Sequence, residues 1–347
     1  MHFVCYTDWA QLPASADALF AAGERQSLFL SRLWLEQHVT RLLADARQVR
    51  LACVLDGDTV RAILPLAEVQ NNAWDALTSL YSGRYTLLLA PEDQEAVLKC
   101  LAQGLAAAKL VVLTLDLLDR HDPTTQALQA ALEAAGFLCH PRFQHVNWIH
   151  PVGGQSFKQY MAGRPGRVRS TIARKGRKLA RERKHQIRLY GSEELPEFLT
   201  HYHAIHRGSW KSREPLDDHL ADMLDALASR GWLRAALLTI DGHAAAAQIW
   251  FIAHGRASIF RLVYDEAWRE YSPGTLLTAY MMELAIDREG VMELDYLYGN
   301  DPYKQEWMSQ RCERWILGCA LASKPQGVWA CLTSAASGWF SDVFSSR

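Results

Sequence analysis

The side chains best suited to chemistry are concentrated in residues 261–307 of the sequence. In this stretch a predicted strand ends at Tyr264, and Ser272, Pro273 and Gly274 then begin an apolar helix. Serine is a favoured N-cap residue, and proline suits the first helical turn. The first N–H groups of a helix have no acceptor within the helix, so a helix that starts after a strand is a natural phosphate site. The tripeptide taken alone is also typical of an ordinary capped helix.

Ionisable side chains follow that helix. Asp295 lies in the middle of a predicted strand. If buried, its carboxyl group would have a raised pKa and could act as a base, whereas a structural aspartate would pair with Lys304 or Arg261. Tyr303 begins the next short helix, where a neutral phenol could donate a proton or pack as an aromatic ring.

Residues 164–184 form a strongly basic segment, with ten Lys or Arg and one Glu, a net charge of +9. The chain has a net charge of −1, so the remainder carries −10. Val168, Ile172 and Leu179 give the segment one narrow apolar face, which predicts a helix. The segment is either a solvated cationic helix or a clamp for the phosphates of a cofactor, a nucleotide-sugar, a lipid-linked donor or tRNA. No aromatic residue is interleaved for base stacking.

Other candidate features are weaker. Trp210 and Lys211 follow a predicted helix and could line an acceptor pocket, although an ordinary core tryptophan fits the pattern as well. His201 and His203 are two positions apart and do not share a helix face, so we predict no metal site. The motifs of the serine hydrolase elbow, the Rossmann fold and the P-loop are absent from the sequence.

Composition predicts an ordinary globular protein. The chain has 347 residues, of which 49% are hydrophobic and 22% charged. No apolar run approaches the roughly 18 residues that a membrane-spanning helix needs, and the N-terminus lacks the pattern of a signal peptide. The seven cysteines are odd in number and widely spaced, so we expect reduced thiols in a cytoplasmic protein.

The order of predicted elements repeats within the chain. Two pairs of apolar runs flank Asp56-Gly57 and Asp241-Gly242, which indicates two hairpins 185 positions apart. Each hairpin is followed by strand, helix and strand. We therefore predict an α/β protein with a mixed sheet, built from two similar units: residues 1–150, residues 151–325, and a tail at 326–347. Near the N-terminus, residues 28–43 show apolar residues at helical spacing.

The GNAT acyl-CoA core has the following layout: a strand, a phosphate-type turn, a helix, a strand and a tyrosine-bearing segment. Residues 155–325 resemble the bacterial BioF2-like or CelD-like acetyltransferases linked to cellulose and exopolysaccharide biosynthesis, which are similar to the Fem-type peptidyl transferases. The chain differs from the usual GNAT loop in having a single glycine, Gly274. The following positions carry the resemblance: Tyr271-Ser272-Pro273-Gly274, Asp295, Gly299, Tyr303-Lys304 and Trp307, with Trp210-Lys211 and the basic helix.

The resemblance implies two tandem GNAT-like units, the second complete and the first degenerate. It implies acetyl-CoA or a longer acyl-CoA as co-substrate, no metal, and an amine acceptor that bears a sugar or phosphate, in polysaccharide or cell-envelope biosynthesis. Alternatives are a Fem-like enzyme that uses aminoacyl-tRNA and a non-enzymatic scaffold protein.

The resemblance also suggests residue roles. Asp295 would be the base, Tyr303 the acid that protonates the leaving thiolate, and Lys304 their neighbour in the catalytic set. The N–H groups of residues 258–264 would hold the acyl carbonyl. The pyrophosphate would bind at Ser272, Pro273, Gly274, Thr275 and Leu276. The substrate-binding candidates are Arg174, Lys175, Lys178, Trp210, Lys211, Arg261, Tyr264 and Tyr298.

Overall fold

The computed structural model describes residues 1–40, 48–69, 72–108, 110–208 and 219–324. The chain divides into two compact units. Unit 1 comprises Met1–His145 and the chain from Glu313 onward, and unit 2 is Val146–Cys312. The boundary predicted from the sequence lies at 150/151, and the predicted second unit runs on to 325, because local patterns do not show which strands become neighbours. The proposed tail at 326–347 lies outside the described residues.

The described residues up to Pro151 form strands and helices in mixed order. The strands are β1 (His2–Tyr6), β2 (Gln48–Asp56), β3 (Thr59–Glu68), β4 (Ala73–Ala76), β5 (Leu88–Leu89), β6 (Val112–Leu118) and β7 (Phe137–Pro151). The helices are α1 (Ala16–Gln26), α2 (Gln94–Ala107) and α3 (Pro123–Ala134).

The rest of the chain continues in the same way. Its helices are α4 (Phe157–Ala162), α5 (Gly166–Glu182), α6 (Leu195–Gly208), α7 (Leu220–Ser229), α8 (Pro273–Glu283) and α9 (Pro302–Trp307). Its strands are β8 (His185–Tyr190), β9 (Leu233–Ile240), β10 (His243–Ala253), β11 (Arg256–Tyr264), β12 (Glu293–Tyr298) and β13 (Gln310–Leu321).

Unit 1 is built on a mixed sheet with the strand order β1-β2-β3-β4-β6-β13-β7. Strands β4 and β6 are parallel, and their other pairings shown here are antiparallel. Helices α2 and α3 cover the sheet through buried leucines such as Leu101 and Leu132, which join Leu115 and Leu317 in one core. Since β13 pairs with β6, the chain after Cys312 belongs to the first unit rather than to the second.

Unit 2 repeats this plan, with the order β7-β12-β11-β10-β9-β8. Strands β11 and β12 are parallel over three residue pairs that end at Ser258 and Asp295. Strand β11 carries a bulge, because Ile249 pairs with Arg261 while Trp250 pairs with Ile259. A bulge bends its strand and ends regular pairing. The two parallel strands therefore separate towards their C-terminal ends.

The α/β class and the mixed sheet predicted from the sequence are confirmed. Both predicted hairpins form, although the first turn is centred on Gly57 and Asp58. In the second, Asp241 and Gly242 are both left-handed (φ 49° and 80°), as a tight two-residue hairpin requires.

The helix predicted over residues 28–43 is wrong as a single helix. A 3-10 turn spans Leu28–Leu30, and a π-helix spans Leu33–Val39. The Ser31 hydroxyl donates to the Leu28 carbonyl at 2.6 Å and accepts the Trp34 N–H at 3.1 Å. It therefore replaces backbone partners at the junction, as serine side chains do at helix starts. Residues 41–43 lie outside the described part of the chain.

Candidate functional site

Helix α8 begins without a side-chain cap. Ser272 is left-handed (φ 53°) and its hydroxyl does not accept from the first turn. Pro273 occupies the first turn, which contains no acidic residue. A Cβ on Gly274 would lie 3.4 Å from Tyr264 Cδ1, in ordinary van der Waals contact with β11. The N–H groups of this turn thus have no acceptor within the helix and no capping carboxylate.

A buried polar network holds this helix start against β10. The Gln248 amide donates to the Thr278 hydroxyl at 2.7 Å, and that hydroxyl donates to the Gly274 carbonyl at 2.9 Å. The Trp250 indole donates to Gln248 Oε1 at 2.7 Å. These side chains are buried, and a satisfied buried network fixes one geometry. Gln248 was missed from the sequence, where its signal is one amide within an apolar strand.

A cavity of about 430 Å³ opens where β11 and β12 separate. Its lining includes Leu262 and Tyr264 from β11, Tyr296 from β12 and Thr171 from α5. The predicted site residues that line it are Tyr264, Ser272, Pro273, Gly274, Thr275 and Tyr303. The structure therefore brings the predicted phosphate turn and the predicted acid into one space.

Two tyrosines meet in the cavity wall. The rings of Tyr296 and Tyr303 are 5.6 Å apart in an edge-to-face arrangement. Burial and then the nearby Asp301 raise the pKa of Tyr303 to about 12. Burial raises the pKa of Tyr296 well above its usual value. Both phenols therefore stay protonated at neutral pH and can act as hydrogen-bond donors rather than as bases.

Lys304 closes the turn after β12. Its ammonium group donates to the Tyr298 carbonyl and lies 3.5 Å from Asp301 Oδ2. A Cβ on Gly299 (φ 115°) would come within 3.0 Å of Lys304 Nζ, so this turn needs glycine for two reasons. Burial lowers the pKa of Lys304, and Asp301 opposes that shift. Lys304 thus anchors the segment that leads to Tyr303.

Asp295 points away from the cavity. It is buried, and its Oδ1 accepts the Leu297 N–H at 2.7 Å. Its neighbours Leu294 and Tyr296 belong to the core on the cavity side. Alternation along β12 places Asp295 on the opposite face of the sheet.

The basic segment forms helix α5, which packs beside the cavity. Some of its cationic side chains already have partners within the protein. The Lys175 ammonium donates to the Glu270 carbonyl, and Lys178 lies 2.5 Å from the Glu270 carboxylate. Arg174 is exposed, one turn beyond the cavity-lining Thr171. Phosphate groups at the α8 start would thus lie near Arg174 and Lys175.

The remaining predicted residues are not brought into the cavity lining. Arg261 is buried, with its guanidinium carbon 5.1 Å from the Phe260 ring centre. The side chain of Tyr298 is exposed, and Leu276 packs beside Gly176 of α5. Trp210 and Lys211 lie outside the described residues. Conversely, Arg269, Tyr296, Glu306 and Trp307 line the cavity but were not singled out as site residues, because isolated sequence positions give no sign of facing a common space.

Within the described ranges, no cluster of three or more His, Cys, Asp or Glu side chains could hold a metal ion. No helix in that same part of the chain is long and apolar enough to cross a membrane.

Comparisons with known proteins agree with this geometry. Residues 166–305, which include the α8 start and Tyr303, match the family model described as an acetyltransferase (GNAT) domain. A search of the curated proteins finds no match.

Solved structures share the fold. A crystal structure of FemX has a TM-score of 0.63 at 14% identity and covers 91% of this chain and 97% of its own. A tandem GNAT protein from the clavulanic acid biosynthesis pathway has 0.51 at 14%, covering 92% and 98%. L-PGS from Bacillus licheniformis has 0.52 at 12%, covering 84% and 89%. The chain therefore has a GNAT-like fold similar to that of tandem GNAT proteins.

Proposed function

We propose that this chain is an acyltransferase that moves an acyl group from acyl-CoA to a primary amine within the cavity of unit 2. The observation that carries the proposal is the uncapped start of α8, which opens into a cavity between two diverging parallel strands. Unpaired N–H groups and the positive end of the helix dipole stabilise phosphate. The match of residues 166–305 to the GNAT domain model supports the same class.

The reaction needs a donor held in extended form and a carbonyl that accepts hydrogen bonds. The pyrophosphate would bind at Ser272–Leu276, near Arg269 and Lys175. The ladder between β11 and β12 ends at Ser258, so N–H groups of β11 beyond this point could hold the acyl oxygen. The amine nitrogen then attacks the carbonyl carbon, the carbon–sulfur bond breaks, and the thiolate leaves.

Tyr303 is the group we assign to the departing thiolate. Its phenol lines the cavity and remains protonated at neutral pH. A hydrogen bond from this phenol would stabilise the negative charge on sulfur as it develops. Lys304 would act by fixing the turn that carries Tyr303. The assignment of Asp295 as the base finds less support, because its side chain lies on the face of β12 away from the cavity.

The resemblance to known families gives more specific expectations for the acceptor and for the donor. The resemblance to the BioF2-like or CelD-like group suggests an acceptor from exopolysaccharide or cell-envelope biosynthesis. A second candidate donor is aminoacyl-tRNA, which the resemblance to Fem-type enzymes suggests. The exposed Arg174 and Arg177, which form no ion pair with the described part of the chain, favour this candidate because arginine binds backbone phosphates.

Calorimetry with acetyl-CoA tests the donor site. Wild-type protein should bind acetyl-CoA, and Gly274→Asp should weaken binding at least about 100-fold, since a carboxylate would face the pyrophosphate. Gly163→Asp is the matched control, because Gly163 is exposed with ordinary backbone geometry.

Equal binding by wild-type and Gly274→Asp would refute the assignment. If wild-type ignores acetyl-CoA but binds aminoacyl-tRNA in a salt-dependent way, the second donor is the correct one.

A further inference from the structure

Glu306 occupies an unusual position for a carboxylate. It is the only acidic side chain among the described residues that line the cavity, and its side chain is 20% exposed. It lies one helical turn after Tyr303 in α9, so both side chains project from the same face of that helix. A carboxylate within a pocket whose other end suits phosphate is not explained by donor binding alone.

The partner of Glu306 is a solvent-facing cation. The Arg167 guanidinium forms an ion pair with Glu306, yet the Arg167 side chain is 75% exposed. An exposed arginine contributes little to such a pair, because water competes for it and its side chain loses entropy on binding. A ligand cation that enters the cavity could therefore displace Arg167 at small cost.

Helix α5 runs along the cavity from one charged end to the other. Near its start, the Arg164 guanidinium donates to the Trp307 carbonyl at 3.0 Å, and Arg167 pairs with Glu306. Two turns later, Lys175 donates to the Glu270 carbonyl, next to the start of α8. Eight residues of helix span about 12 Å. Glu306 thus lies roughly that far from the phosphate end of the cavity.

Aromatic rings complete the surroundings of the carboxylate. Tyr303 and Trp307 line the cavity from the same helix, and Tyr296 and Tyr264 line it from the strands. The Tyr160 hydroxyl and Arg164 both donate to the Trp307 carbonyl and hold α9 in place. Aromatic faces beside a carboxylate are the surroundings that recognise an ammonium group.

We propose that Glu306 is the binding group for the ammonium of the acceptor and takes the proton that this ammonium loses before attack. This inference rests on the proposed acyl transfer and names a residue for the role first given to Asp295. The ammonium transfers one proton to the Glu306 carboxylate, which passes it to water. The neutral amine then forms the carbon–nitrogen bond and loses a second proton, and the thiolate leaves with the carbon–sulfur electrons and gains a proton.

The test uses n-butylammonium chloride as the probe, in the absence of any donor. A ligand that binds only the folded protein raises Tm by mass action. We expect the probe to raise the Tm of wild-type protein by about 2 °C or more beyond equal concentrations of NaCl or n-butanol. The titration gives a Kd.

Variants of the ion pair should move this Kd in opposite directions. Glu306→Gln should raise the Kd at least about 10-fold, and Glu306→Asp should raise it less because the charge remains. Arg167→Gln should lower the Kd several-fold, because it removes the competing cation. Glu283→Gln, an exposed acid at the far end of α8, is the matched control and should leave the Kd unchanged.

An ion pair that serves stability alone gives a different pattern. Both Glu306→Gln and Arg167→Gln would then lower the Tm of the free protein while the probe Kd stays constant, and this result would overturn the inference. Acetyl-CoA calorimetry on the same samples separates the two proposals. If wild-type protein does not bind acetyl-CoA, the acyl-CoA proposal is refuted. An unchanged probe Kd in Glu306→Gln refutes only the role of Glu306.

Discussion

The two units share a sheet plan but differ in what lies beside their pair of parallel strands. In unit 2 the parallel strands β11 and β12 pair over three residues and then border a cavity of about 430 Å³. In unit 1 the parallel strands β4 and β6 also pair over three residues. There the chain returns after β4, and the Tyr85 N–H donates to the Leu117 carbonyl of β6 at 3.2 Å. The buried Tyr85 ring belongs to the hydrophobic core of unit 1.

The helices that follow these strands differ in charge. The start of α2 carries Glu92, Asp93 and Glu95, whereas the first turn of α8 has no acid. Acidic side chains suit the positive end of a helix dipole but repel a phosphate there. Both helices are entered through a left-handed residue, Asp93 (φ 50°) and Ser272 (φ 53°). The backbone plan is thus shared, and the charge of the side chains at the helix start distinguishes the two units.

The largest effect should come from truncating the buried Tyr85 side chain in unit 1. Tyr85 is 1% exposed, and its hydroxyl donates to the Pro65 carbonyl at 2.5 Å. Tyr85→Ala should lower the free energy of unfolding by about 3–5 kcal/mol, because it leaves a cavity and an unpaired carbonyl. Urea denaturation measures this loss.

Acetyl-CoA affinity at low temperature should stay unchanged in the folded Tyr85→Ala variant. If acetyl-CoA affinity falls as well, the Tyr85 site in unit 1 and the cavity of unit 2 do not have separate roles.

A pH effect should come from Asp116 of β6. Burial raises the pKa of Asp116 to about 6, although the Thr78 hydroxyl donates to it at 2.8 Å and opposes the shift. A carboxyl group with a raised folded-state pKa binds its proton more tightly when folded, so stability falls as pH rises from about 4 to about 6. The shift corresponds to about 3 kcal/mol at most.

Asp116→Asn should flatten the dependence of Tm on pH in this window and should be the more stable protein above pH 6. Identical pH profiles for wild-type and variant would mean that Asp116 is not buried as a neutral acid.

The smallest expected effect concerns the chemistry of unit 2. Tyr303→Phe keeps the ring and removes the phenol donor, so kcat should fall about 10–100-fold, or about 1.4–2.7 kcal/mol, while acetyl-CoA affinity holds. Rapid-quench assays and calorimetry measure the two quantities. Tyr85→Phe in unit 1 is the matched control, since it also removes one phenol hydroxyl. Full turnover in Tyr303→Phe would assign this residue to packing.

Much of the secondary structure could be predicted because it depends on neighbours in sequence. The helix predicted to begin at Ser272-Pro273-Gly274 is observed as Pro273–Glu283, and the helix predicted in the basic segment is observed as Gly166–Glu182. The strand predicted to end at Tyr264 is observed as Arg256–Tyr264. Apolar period, Asp-Gly turns and the Ser-Pro-Gly helix start are all local signals. Residues 28–43 were an exception, because serine side chains there replace the backbone ladder.

The predicted site residues also divide into those that depend on adjacent residues and those that depend on tertiary contacts. The sequence by itself determined the helix start at Ser272–Thr275 and the tyrosine that follows Pro302, because each depends on a few adjacent residues. The tertiary structure decided that Asp295 faces away from the cavity and that Glu306 faces into it. It also decided that β13 pairs with β6 and that Lys178 is engaged by Glu270. These outcomes depend on strand bulges, on register and on contacts between residues about 90 to 200 positions apart, and no local pattern of residue types encodes them.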